Sequence, residues 1–127
     1  MFPRCATEVS QRQIDEYAQL SSDFNPLHVD PEFAAQTEFG STIAHGSIPM
    51  NSILRSLSLL VDDPAATGVR VELKLVAPAR PGDLIVSEGE PADGHSWSVR
   101  ALNERGEPVI VGTAFIQEEI AHGLRSD

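Results

Sequence analysis

The chain contains a single cysteine, Cys5, in 127 residues. An internal disulfide framework is therefore excluded, and so is a metal site built from several thiolates. Cys5 reads as a small apolar residue packed near the N-terminus. Basic residues are scarce as well: nine Lys and Arg face nineteen Asp and Glu, for a formal net charge of −10. They are scattered from Arg4 to Arg125, without the cluster that a phosphate backbone requires, which argues against nucleic acid as a partner. A phosphorylated small molecule at one local basic spot stays possible, because exposed charges are screened beyond ~10 Å. Long apolar runs are also missing. None approaches the roughly 20 residues of a membrane span, and Met1-Phe2-Pro3-Arg4 does not open a secretory signal. A cytoplasmic enzyme or binding module is what these absences leave.

Apolar residues make up 41% and charged residues 22% of the chain, a balance that supports a packed core and argues against disorder. The length fits one domain over residues 1–127. Ser10 and Gln13 have the spacing of a capping box, and Ile14, Tyr17 and Ala18 then mark one face of a helix reaching about Ser21. Asp30-Pro31-Glu32 opens a second, short helix. Ile48 to Val61 carries the strongest helical spacing, with Ser52, Ser56 and Ser58 as small polar positions that predict a largely enclosed helix.

The second half alternates with period two. Val69, Val71, Leu73 and Leu75 interleave with Arg70, Glu72 and Lys74, as in a half-buried strand. Further strands are expected at Leu84 to Glu88, around Trp97 to Ala101, and at Val109 to Ile116, the last as a central strand. Gly112 within it predicts either a close approach by the long helix or a bulge. Strands in succession without helices between them imply an antiparallel sheet. The expected fold is α+β, one long helix packed into a curved sheet.

Chemistry concentrates in Ser22-Asp23-Phe24-Asn25-Pro26-Leu27-His28. Pro26 fixes its own φ and pushes Asn25 out of the helical region, so a helix entering this segment stops. A rigid loop at a helix end can hold a carboxylate and an imidazole at fixed separation, as general acid–base chemistry needs. Taken singly, each residue has a plainer explanation in a turn. The four histidines, His28, His45, His95 and His122, lack an i, i+4 pair and give no case for a metal site. His45 reads as structural, bonded to backbone, and His95 and His122 receive no role.

The run Tyr17-Ala18-Gln19-Leu20-Ser21-Ser22-Asp23-Phe24-Asn25-Pro26-Leu27-His28-Val29-Asp30 resembles the signature of the MaoC-like, (R)-specific enoyl-CoA hydratases. Phe39-Gly40-Ser41-Thr42-Ile43-Ala44-His45-Gly46 is similar to that family's second block. The resemblance implies a hot-dog fold, a homodimer, and an acyl-thioester tunnel near the subunit interface. It implies reversible syn hydration of a trans-2-enoyl thioester to the (3R)-hydroxyacyl thioester. No cofactor is implied beyond CoA or an acyl carrier as part of the substrate.

Carried over by position, Asp23 and His28 form the catalytic dyad, and Asn25 supports the thioester region or the dyad loop. The Gly46 N–H serves as oxyanion donor, a role with independent sense, since amides at a helix start are oriented, unpaired donors. Two departures stand out. Ser47-Ile48-Pro49-Met50-Asn51 follows Gly46 where the family carries larger apolar residues, which bears on acyl preference. Some members orient the Asp with a helix hydroxyl, for which Ser47, Asn51 or Ser52 could substitute. Arg55, Arg70, Lys74, Arg80 and Arg100 are candidates for CoA phosphates or else solvated charges. Two rival functions share these features: a hot-dog acyl-thioesterase, and a non-catalytic acyl-thioester-binding subunit of a mixed assembly.

Overall fold

The computed structural model describes residues 2–61 and 68–117. Strand β1 (Ala6–Glu8) leads into helix α1 (Gln11–Ser21), then the short helices α2 (Pro26–Val29) and α3 (Pro31–Ala35). The long helix α4 (Ser47–Leu60) is followed by strands β2 (Gly68–Leu75), β3 (Leu84–Pro91), β4 (Ser96–Leu102) and β5 (Pro108–Gln117). The five strands form one antiparallel sheet in the order β1-β3-β4-β5-β2. Helix α4 packs against β1, β3, β4 and β5, so the sheet wraps the helix as the sequence predicts. His122 and the tail at 123–127 lie outside the described residues.

Local chemistry explains the helix boundaries. The Ser10 hydroxyl accepts from the Gln13 N–H at 3.1 Å and starts α1. The reciprocal half of the capping box is absent, because the Gln13 Oε1 has no hydrogen-bond partner among the described residues. Helix α1 stops where Ser22 enters the left-handed region, at φ 63° and ψ 23°. The segment 26–29 is a four-residue helix rather than a plain loop, since Pro26 supplies the preset φ of a first turn and Asn25 caps it.

In α4, Ile53, Ser52 and Ser56 are fully buried and face the sheet. Burying Ile53 alone contributes about 1.5–3 kcal/mol. The Ser56 hydroxyl bonds the Ser87 hydroxyl of β3 at 2.5 Å, and Ser87 in turn bonds the Cys5 backbone, so the helix is pinned to two strands. Expected enclosure holds for one face only. Leu54 and Leu59 are exposed, because the sheet covers a single side of the helix.

One strand is unexpected and two further expectations change. β1 is unannounced by periodicity, being three residues long. β2 is an edge strand, and although Val71 and Leu73 pack on the core, Val69 and Leu75 are exposed. Gly112 answers to neither the helix nor a bulge: a Cβ there would lie 2.1 Å from the Glu72 carbonyl oxygen of the adjacent β2. β5 does lie inside the sheet, between β4 and β2.

Gly112→Ala is expected to cost about 1–3 kcal/mol by overpacking β2 against β5, measured as a shift of the urea midpoint without loss of slope. Ser22→Gly, which removes the side-chain penalty of the left-handed C-cap, is expected to add up to about 1 kcal/mol, read as a raised melting temperature.

Candidate active site

The turn after α1 is held by its own polar residues. The Asp23 N–H donates to the Ser21 hydroxyl at 3.2 Å, and the Asn25 N–H donates to Asp23 Oδ1 at 3.3 Å. Asn25 Oδ1 accepts from the Leu27 N–H at 3.0 Å, which is the N-cap of α2. A second set of bonds straps α2 to the segment before α4. The Ile43 N–H donates to the Leu27 carbonyl at 3.0 Å. Gln11 reaches from α1 to both sides: its amide nitrogen donates to the His28 carbonyl at 2.9 Å, and its oxygen accepts from the Thr42 hydroxyl at 2.5 Å.

This scaffold brings three side chains together. Asp23 Oδ2 lies 3.9 Å from His28 Nε2 and 3.9 Å from His45 Nε2. The side chain of Asp23 is 53% exposed, those of His28 and His45 15% and 4%. The imidazoles stack at 3.9 Å between centroids and 26° between planes. Tyr17 closes the far side of His45, its ring 4.7 Å from that imidazole and its hydroxyl accepting from Ser47 Oγ at 2.6 Å.

Hydrogen-bond partners dictate the tautomers. His28 Nδ1 sits 2.8 Å from the Ile43 carbonyl, an acceptor only, so Nδ1 carries the proton and Nε2 of the neutral ring presents a lone pair toward Asp23. His45 is the reverse. Its Nε2 lies 3.0 Å from the Asp23 carbonyl and must donate to it, leaving Nδ1 as the unprotonated nitrogen of the neutral ring. Nδ1 has no partner among the described residues. The 3.9 Å between Asp23 Oδ2 and His28 Nε2 is too long for a direct bond, yet one water bridges two acceptors at that separation.

Of the residues singled out by sequence, Asp23 and His28 converge. Asn25 serves the dyad loop, as one of its two expected roles, by capping the helix that carries His28. Gly46 follows His45 and is the N-cap of α4, with helical φ and ψ. No described residue accepts from its N–H. The helix hydroxyls do not orient Asp23: Ser47 bonds Tyr17, and Ser52 bonds the Pro49 carbonyl.

Most of the basic candidates are engaged within the fold. Arg55 donates to the Ala6 carbonyl, Arg80 to the Phe39 carbonyl and Ser41 hydroxyl, and Arg100 pairs with Glu88 and Glu90. Arg70 pairs with Glu72 and lies over the Phe115 ring. Lys74 is exposed on β2.

His45 joins the cluster with Asp23 and His28, which its position in the sequence does not announce. Its side chain is bonded to backbone as expected, but the backbone is that of Asp23, 22 residues earlier. His28 and His45, which lack an i, i+4 spacing, are therefore neighbours, and one ligand atom each from Asp23, His28 and His45 lies within 4.8 Å of the others. The set is nonetheless ill suited to a cation, because His45 Nε2 presents a hydrogen there rather than a lone pair.

One cavity of about 320 Å³ is lined by Thr7, Gln13, Tyr17, Ser47, Ile48 and Asn51. Another, of about 250 Å³, is lined by His95, Trp97, Leu60 and Ile116. Neither is lined by Asp23 or His28.

Comparison with known proteins bears on the family and the fold. The chain is 34% identical over 86 residues to a 3-hydroxybutyryl-CoA dehydratase of Methylorubrum extorquens, covering 68% of this chain and 55% of that protein. It is 37% identical over 82 residues to an (R)-specific enoyl-CoA hydratase of Rhodospirillum rubrum, covering 65% and 57%. The chain thus spans little more than half the length of these curated relatives. The solved (R)-hydratase of A. caviae, involved in PHA biosynthesis, superposes with a TM-score of 0.77 at 26% identity, covering 91% of this chain and 92% of that one. The antiparallel sheet around one long helix is accordingly a hot-dog fold. A family profile described as MaoC like domain matches residues 3–112, and with Asp23, His28 and Gly46 all inside that span, the chain belongs to the MaoC-like domain family.

Proposed function

We propose that this protein catalyses the reversible syn hydration of a trans-2-enoyl thioester to the (3R)-hydroxyacyl thioester. The observation that carries the proposal is the 3.9 Å separation of Asp23 Oδ2 and His28 Nε2, with the His28 tautomer fixed by Ile43. A water held between them donates one hydrogen to each acceptor. As its oxygen attacks C3 of the enoyl group, His28 Nε2 takes one proton and returns it to C2 from the same face. The water's other hydrogen stays on the new hydroxyl, so atoms balance and the addition is syn. Asp23 remains ionised, orienting the water and stabilising the imidazolium that forms.

The negative charge that develops on the thioester oxygen falls to the Gly46 N–H at the start of α4. A preorganised donor of this kind is worth about 2.7–4 kcal/mol. Asn25 acts by holding the turn that carries His28. No cofactor takes part; CoA or an acyl carrier enters only as part of the substrate. His45 and Tyr17 are positioning residues that back His28 and anchor the Asp23 main chain.

The acyl-thioester tunnel lies near the interface of a homodimer in this reading. β2 is an edge strand with an exposed apolar rim at Val69, Leu75 and Val76, and such edges pair readily with another chain. Leu75 is also the side chain closest to the Gly46 Cβ position, at 3.7 Å, so a partner along β2 would abut the oxyanion donor. A cytoplasmic location is part of this proposal, and cell fractionation tests it. Among the described residues no helix is long and apolar enough to cross a membrane.

Asp23→Asn and His28→Ala should each lower kcat/KM for enoyl-CoA hydration by at least about 10²-fold, with circular dichroism unchanged. Loss of enoyl absorbance is followed beside thiol release; thiol release without absorbance loss would identify a thioesterase instead. Nitrogen NMR of the neutral protein should show His28 protonated at Nδ1, and an Nε2–H tautomer would contradict the assigned role. Sedimentation should give a dimer, and Leu75→Lys should shift it toward monomer with loss of activity.

A further inference from the structure

We infer that Asp83, a buried acid immediately before β3, is a positioning residue for His28 and acts on it through two peptide groups. The inference rests on the hydration reading above and adds a residue to its machinery. Asp83 is 7% exposed, and no step of that mechanism uses it. Three hydrogen bonds lead from it to the imidazole. Asp83 Oδ2 accepts from the Arg80 N–H at 2.9 Å. The carbonyl of Ala79, which shares a peptide group with that N–H, accepts from the Ala44 N–H at 2.7 Å. The carbonyl of Ile43, again across one peptide group, accepts the Nδ1 proton of His28 at 2.8 Å.

Peptide geometry makes this a rigid linkage. Each peptide group is planar and trans, so its C=O and N–H point in opposite directions and turn together. Holding the Ala44 N–H on Ala79 therefore aims the Ile43 carbonyl at His28. Holding the Arg80 N–H on Asp83 aims the Ala79 carbonyl at Ala44 in the same way. Ile43 needs such a hold, because it lies in the irregular stretch between α3 and α4. The far end of the linkage is itself fastened. The Asp83 N–H donates back to the Arg80 carbonyl at 3.0 Å, and Val9, just after β1, bonds both Gly82 and Asp83. The Arg80 guanidinium reaches the Phe39 carbonyl and the Ser41 hydroxyl, which steadies the chain ahead of Ile43.

The direction of these bonds suits the chemistry. When His28 Nε2 takes a proton from the water, positive charge spreads to Nδ1 and strengthens its bond to Ile43. Every donor in the series points the same way, toward the Asp83 carboxylate. The linked groups then polarise one another in the sense that favours the imidazolium. In hydrolase triads a carboxylate bonded directly to the histidine fixes the same tautomer and stabilises the same cation. Here Asp23 faces Nε2, and the opposite nitrogen is served by Asp83 through the backbone.

The test reads the His28 tautomer by nitrogen NMR on the free protein, and the hydration of crotonyl-CoA by steady-state kinetics. Asp83→Ala should turn the single Nδ1–H form of the neutral ring into a mixture of tautomers. It should lower kcat by about 10–100-fold while leaving KM little changed. Asp83→Asn keeps an acceptor for the Arg80 N–H and should recover the single tautomer and most of kcat. In the wild-type protein, scalar couplings across the hydrogen bonds from Ala44 to Ala79 and from Arg80 to the Asp83 carboxyl group should be resolved. That measurement decides the matter if Asp83→Ala does not fold. A single Nδ1–H tautomer in Asp83→Ala overturns the inference, as does a loss confined to KM. So does an Asp83→Asn protein no better than Asp83→Ala, or the absence of either coupling. The tautomer is read without substrate, so this inference and the hydration reading fail separately. Mixed tautomers in Asp83→Ala beside a wild type that hydrates no enoyl-CoA remove the reaction and leave the linkage; an unchanged tautomer with full hydration does the reverse.

Discussion

The bond between His28 Nδ1 and the Ile43 carbonyl holds the site together. It joins two segments 15 residues apart and determines at once where the imidazole points and which nitrogen is basic. Remove it, and His28 could rotate or change tautomer, and the lone pair aimed at Asp23 would be lost. Supporting contacts converge on the same strap. Ile43 returns a bond to Leu27, Gln11 ties the His28 carbonyl to Thr42, and His45 stacks under the ring. A short helix of four residues, too small to be stable alone, is thereby held from three directions.

The sequence makes the site more legible than the sheet that supports it. Asp23, Asn25 and His28 lie within six residues of one another, so local rules on proline and caps suffice to place them on one turn. α4 is legible for a similar reason: its apolar stripe repeats over 14 residues. His45 is not, because its partner Asp23 is reached only after the chain has passed through α2 and α3. Its one sequence signal is the neighbouring Gly46 in the second motif block. β1 escapes because three residues cannot display a period, and its placement depends on pairing with β3 far along the chain. Gly112 shows a different limit. A glycine announces that something comes close, but only the register of β2 against β5 says what.

Electrostatics divide the surface from the site. Most of the arginines are committed to carbonyls or carboxylates of the fold, including the Arg100 pair that binds β4 to β3. The Glu90 hydrogen bond, followed by that of Glu88, raises the Arg100 pKa above its ordinary value despite the opposing effect of burial. Cations that stitch strands together in this way are poorly placed to receive the phosphates of a substrate. In a chain of net charge −10, the proposed recognition of a thioester would then rest mainly on uncharged contacts near the reacting carbon.

Asp23 is held twice, and by different parts of itself. Its carbonyl is gripped by His45 and its N–H by Ser21, while the carboxylate remains half open to solvent. Attachment thus falls to the main chain and to Oδ1, which accepts from the Asn25 N–H, and leaves Oδ2 facing the two imidazoles. A lineage could exchange the acid only for a group that keeps an oxygen for the Asn25 N–H, such as an amide, if the loop is to stay fastened.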